Sequence, residues 1–131
     1  MIVVDASALL EVLLRTPAAK AVEARLYESA RQTLHAPHLL DIEVAHVLRR
    51  YAGAGDIDEE RGRAALADLV DFPIRRYPHT FLLARAWDLR RNFTAYDAVY
   101  VALAEALDAP LLTRDQRLAA AAKRHVRVAV A

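Results

Sequence analysis

Short apolar runs alternate along this chain with longer stretches whose apolar residues recur at helical spacing, and no other feature restricts the fold as much. The runs Ile2–Val4, Leu111–Leu112 and Val126–Val130 are too short for helices and are read as strands, as are Thr33–Ala36 and, between two prolines, Ile74–Tyr77. Between them, Ala6–Leu14, a stretch from Pro17 to about Ala30, and the set Leu40, Val44, Val47, Leu48 and Tyr51 are read as helices, the last stopped by Gly53 and Gly55. Asp58–Phe72, Phe81–Leu89, Thr94–Leu107 and about Arg114–Arg124 follow as further helices. Strands joined through helices must run parallel, and each right-handed crossover lays its helices on one face or the other. The expectation is an α/β fold, a short central parallel sheet flanked by helices on both faces, with residues 1–131 forming one domain.

Composition narrows the chemistry. The hydrophobic fraction of 56% supplies a sizeable core, and the absence of cysteine excludes disulfides, thiolate metal sites and thiol nucleophiles. No basic flank followed by a long apolar run opens the chain, so a cytoplasmic protein is expected. A net charge of +1 does not by itself diagnose a nucleic-acid partner. Lysine occurs only at Lys20 and Lys123, however, and arginine is paired at Arg49/Arg50, Arg75/Arg76 and Arg90/Arg91. Such forks suit phosphate oxygens, although an arginine- and alanine-rich composition has a plainer source in genomic base content.

The acids carry the functional signal. Ligands of an open parallel sheet bind beyond the carboxyl ends of its strands. Asp5 ends the first strand, Asp115 follows Leu111-Leu112 by two residues, and Asp97 sits at a helix start. Glu43 lies one turn inside its own helix, with a longer reach, and Asp41 beside it competes for the same role. Each acid alone also has a structural reading. Asp5 can cap the helix that begins at Ala6, Thr94 with Asp97 and Thr113 with Gln116 have capping-box spacing, and Glu43 can be a solvated residue paired with Arg50 or with nothing. Four carboxylates converging without matched lysines repel one another unless a cation neutralises them, and an all-oxygen set favours Mg2+ or Mn2+.

Other chemistries find less support. Glu43-Val44-Ala45-His46 has the Glu-x-x-His spacing of di-iron bundles, but those need two copies. No Gly-x-Ser-x-Gly elbow or phosphate-cradling loop is present, and no histidine is placed to activate Ser7, which is expected instead to hydrogen-bond the Asp5 cluster. Tyr96 and Tyr100 can stack bases or belong to the core. An α/β signalling domain of receiver type wants an adjacent acidic pair and a late lysine, and neither occurs. A fold that only binds RNA or protein is the other non-catalytic alternative.

The segments Ile2-Val3-Val4-Asp5-Ala6-Ser7-Ala8, Glu43 after Pro37, Tyr96-Asp97-Ala98-Val99-Tyr100-Val101-Ala102-Leu103-Ala104-Glu105 and Leu111-Leu112-Thr113-Arg114-Asp115 resemble the PIN-domain pattern of VapC toxins. The resemblance implies a Mg2+- or Mn2+-dependent endoribonuclease, held inactive by a cognate antitoxin protein and usually a homodimer. It implies an acidic site of Asp5, Glu43, Asp97 and Asp115, with Thr113 and Ser7 as supporting hydroxyls. It further suggests in-line attack of a metal-activated water on an RNA phosphodiester, with Asp5 and Asp97 holding the principal ion.

Overall fold

The computed structural model describes residues 1–131. Its strands are β1 (Ile2–Val4), β2 (Leu34–Pro37), β3 (Ile74–Tyr77), β4 (Leu111–Thr113) and β5 (Val128–Val130). They form a single sheet in the order β3-β2-β1-β4-β5, and every neighbouring pair is parallel. The helices are α1 (Ala6–Leu13), α2 (Ala19–Leu26), α3 (Leu39–Gly53), α4 (Glu59–Asp71), α5 (Leu83–Asp88), α6 (Ala95–Leu107) and α7 (Gln116–Ala122). Helices α1 to α4 pack among themselves, whereas α6 packs with α5 and crosses β1, β2 and β4. With right-handed crossovers these two groups cover opposite faces, as the alternation of elements requires.

Several boundaries differ from those expected, each for a local reason. The helix expected from about Arg114 begins at Gln116, because the Asp115 carboxylate accepts from the Arg117 and Leu118 amides and so caps it from outside. The last strand starts at Val128 rather than Val126, whose amide is taken by the Ala122 carbonyl at the end of α7. The second helix stops at Leu26, where Tyr27 leaves helical geometry, and Pro17 lies in the turn ahead of it. The expected Phe81–Leu89 helix splits into a single 3-10 turn, Thr80–Leu82, and α5. Gly55 adopts φ +80°, a left-handed conformation that suits glycine and closes the chain after α3.

Burial explains how the site is held. Val3 and Val4 of β1 are wholly buried, and α6 is buried along its whole middle from Ala98 to Ala104. Its alanines at 98, 102 and 104 present little bulk, which lets the helix lie against the sheet. One polar group in this interior is His35 on β2, bonded on one ring nitrogen by Thr33 Oγ1 and on the other by the Tyr77 hydroxyl. No helix is long and apolar enough to cross a membrane. The strand order reverses direction between β1 and β4, and residues that follow those two strands face a common crevice.

Candidate active site

Asp5 is the residue that follows β1 at this reversal. Its extended backbone ends the strand, and its carboxylate caps α1 by accepting from the Ala8 amide at 3.1 Å through Oδ1. The same Oδ1 accepts from Ser7 Oγ at 2.7 Å, and Oδ2 accepts from Thr113 Oγ1 at 2.6 Å. Capping does not use up this carboxylate, since Oδ2 lies outside the cap and takes the Thr113 bond. Only 5% of the residue is exposed, and burial raises its pKa above the ordinary aspartate value; its three hydrogen bonds oppose the shift, and Asp115 adds to it. Thr113, the last residue of β4, is fully buried and also accepts from the Asp115 amide at 3.0 Å. Ser7 Oγ accepts in turn from the Arg114 amide at 2.9 Å. These two hydroxyls tie the turn after β4 to Asp5.

The remaining acids arrive from helices. At the start of α6, Thr94 Oγ1 accepts from the Asp97 amide at 3.1 Å, which is half of a capping box. The return bond from the Asp97 carboxylate is not made, and that carboxylate is left facing the crevice. Asp97 is half-buried and its pKa is raised, first by burial and then by Asp115, with the Thr94 hydroxyl and then Arg117 acting in the opposite sense. The second expected capping box, of Thr113 with Gln116, does not form, because Asp115 itself caps α7. One Asp115 oxygen serves that cap, and the other is free.

Glu43 and Asp41 separate clearly. Asp41 is ion-paired with Arg76 at 2.9 Å and is drawn toward β3. Glu43 is bonded not by Arg50 but by the Tyr100 hydroxyl, which donates to its Oε1 at 2.6 Å. Burial raises the Glu43 pKa, the Tyr100 bond lowers it, and Asp5 and Asp97 raise it again. Tyr100 is 1% exposed and stands three residues after Asp97 on α6. Burial and the surrounding carboxylates push its own pKa far upward, so it is a permanent donor. Its helical position marked it as core or a stacking ring; no local pattern discloses a partner 57 residues away. Tyr100→Phe is expected to destabilise the protein by about 1 kcal/mol, the worth of a hydrogen bond whose acceptor water can still reach. It should also raise the Glu43 pKa further. Denaturant titration and the acid limb of an activity profile measure the two effects.

All four acids line one cleft of about 840 Å3, together with Tyr96, Arg50 and Arg114. As they stand, no three acid or histidine side chains form a group that could hold an ion. They nonetheless act on one another: Asp115 disfavours ionisation of Asp5 and Asp97, and these two disfavour that of Glu43. The arrangement combines one buried carboxylate, Asp5, with three more exposed ones, of which Glu43 is held by Tyr100 and Asp115 by the α7 amides. It can bind a cation, or a proton, far better than it can tolerate its own bare charge.

The family model described as PIN domain matches residues 2–124. The chain is 50% identical over 120 residues to a protein of Mycobacterium tuberculosis named Ribonuclease VapC1, covering 91% of this chain and 89% of that one. Among solved structures it is similar to M. tuberculosis VapC20, a Sarcin-Ricin loop cleaving toxin, with a TM-score of 0.70, 19% identity and coverage of 92% and 95%. It is likewise similar to VapBC2 from Rickettsia felis, solved with a DNA fragment from its promoter, with a TM-score of 0.70, 13% identity and coverage of 100% and 99%. At those identities the two structures speak for the fold alone.

Proposed function

The chain belongs to the PIN-domain family, and on that premise we infer that it is an endoribonuclease, the toxin half of a toxin–antitoxin pair, hydrolysing RNA phosphodiester bonds where Asp5, Glu43, Asp97 and Asp115 meet. The observation that carries this reading is the buried Asp5 carboxylate, braced by Ser7 and Thr113 at the reversal of strand order, with Glu43, Asp97 and Asp115 lining the same cleft. A role in capping alone gives no reason to crowd the other acids around it.

The donor chemistry fits a hard divalent cation. The four acids offer only carboxylate oxygens, three of them have raised pKa values, and one oxygen each of Glu43 and Asp115 has no hydrogen-bond donor. Asp5 and Asp97 would hold Mg2+ or Mn2+, with Glu43 and Asp115 beside them. Such an ion, when bound, supplies neutralisation of the acids, polarisation of a phosphoryl oxygen and activation of water. The chain's own residues do the positioning. Ser7 and Thr113 fix the plane of the Asp5 carboxylate, the α7 amides fix Asp115, and Tyr100 holds Glu43. Arg50 and Arg114 at the rim offer the positive charge that draws a phosphate chain toward an acidic mouth.

A cognate antitoxin protein and a homodimeric state complete the reading. Ile42 and Tyr96, 70% and 60% exposed at the cleft, give such a partner apolar footing. The test is cleavage of a single-stranded or loop RNA by the pure protein. Cleavage should require Mg2+ or Mn2+ and cease with chelator. Cleavage that survives chelator overturns the metal assignment, and absence of cleavage with either ion overturns the ribonuclease reading.

A further inference from the structure

A second groove, of about 520 Å3, meets the acidic cleft at Asp97 and Asp115, which line both. Beyond those two acids its charged lining is positive, Arg117 and Arg124, with His125 at the far end. The pattern on α7 is specific. Arg117, Ala120, Ala121 and Arg124 recur at positions i, i+3, i+4 and i+7, one helical face continued into the turn after Ala122, while Leu118, Ala119 and Ala122 turn into the core. Two arginines thus flank a floor of methyl groups. Both are exposed, and neither is paired: the ion pairs of the structure are Arg76 with Asp41 and Arg85 with Glu105. Arg117 is close enough to the site to act on Asp97.

We propose that this groove is a phosphate track for RNA, in which Arg117 and Arg124 hold the backbone of the strand on one side of the bond to be cut. The proposal rests on the ribonuclease reading above. An enzyme that cuts within a strand must hold nucleotides on both sides of the scissile phosphate. The main cleft, with Arg50, Tyr51 and Tyr96, has room for one side, and the α7 groove leads away from the same acids to take the other. Two unpaired guanidinium groups over a narrow apolar floor suit a chain of regularly spaced phosphates.

Contacts of this kind are read by salt. Each phosphate neutralised on a single strand contributes roughly 0.7 to the slope of log affinity against log salt concentration. Wild type, Arg117→Gln/Arg124→Gln and the control Arg25→Gln/Arg31→Gln are compared by kcat/KM on a single-stranded RNA with Mn2+, over about 50 to 200 mM salt. The control makes the same change in net charge with exposed residues that line neither groove. The α7 variant is expected to be a poorer enzyme with a slope shallower by roughly 1.4, while the control keeps the wild-type slope. A wild-type slope in the α7 variant overturns the track, as does an equal loss in the control, which would assign the effect to net charge. Absence of cleavage by wild type removes the ribonuclease reading and the track with it.

Discussion

Asp5→Asn is expected to lower RNA cleavage by at least about 100-fold while leaving the fold intact. That figure is the upper end of the loss seen when an outer partner of a metal site is removed, and a ligand itself should matter no less. The substitution preserves shape. Oδ1 receives the Ala8 amide and the Ser7 hydroxyl, so an asparagine oxygen belongs there and its amide nitrogen faces Thr113. The Thr113 hydroxyl can then rotate to accept, and the α1 cap survives. The change removes only the negative charge, whose burial raises the pKa of this group and is unfavourable without a cation. Metal-free Asp5→Asn should consequently melt no lower than wild type. Asp5→Ala is the contrasting case, because it leaves the Ala8 amide and the Thr113 hydroxyl without an acceptor and should cost about 0.5–2 kcal/mol as a lost cap. Cleavage rates, thermal melts, and relief of growth arrest on expression check the set. Asp5→Asn with the wild-type rate would remove the acidic centre proposed here.

The amino-acid order discloses where each acid stands; whom it meets is another matter. Asp5, Asp97 and Asp115 are readable because each follows a strand or opens a helix, and a parallel sheet brings such positions to one edge. β1 and β3 have the expected limits because their flanking residues mark them, β1 ending on Asp5 and β3 lying between Pro73 and Pro78. Side-chain partners depend on packing between distant segments. Tyr100 of α6 selects Glu43, and Arg76 of β3 selects Asp41, only once α3 is packed with both elements within reach of its side chains. Asp41 and Glu43, two residues apart on a helix, point in different directions, so nothing short of the packed structure could separate them. Capping spacing misled at Thr113 because its hydroxyl is held by Asp5 and the Asp115 amide. A local motif gave way there to a tertiary one.

Asp97 offers the sharpest separation of a structural acid from a functional one, because its backbone and its carboxylate do different things. The α6 cap consists of Thr94 Oγ1 and the Asp97 amide, and Asp97→Asn retains both. The carboxylate faces Asp115 and Glu43 and is a burden to the metal-free fold. Asp97→Asn should therefore be neutral or stabilising in chelator. Acidification should act in the same direction. Asp5, Glu43 and Asp97 all have folded-state pKa values above their ordinary ones, so the native state binds more protons between the two values. Their contribution to metal-free stability is greatest below the ordinary carboxylate range and is lost as pH rises through the raised values. Bound Mg2+ or Mn2+ should reverse that dependence, since ligating carboxylates must be deprotonated. At a hundredfold excess over its dissociation constant the ion adds about 2.7 kcal/mol to wild type. For a chain of this length that is a rise of roughly 10 °C in melting temperature. The Asp97→Asn protein should gain much less and show a weaker pH dependence without metal. Equal lowering of its melting temperature in chelator and in saturating Mn2+ would mean that Asp97 serves the helix and not an ion.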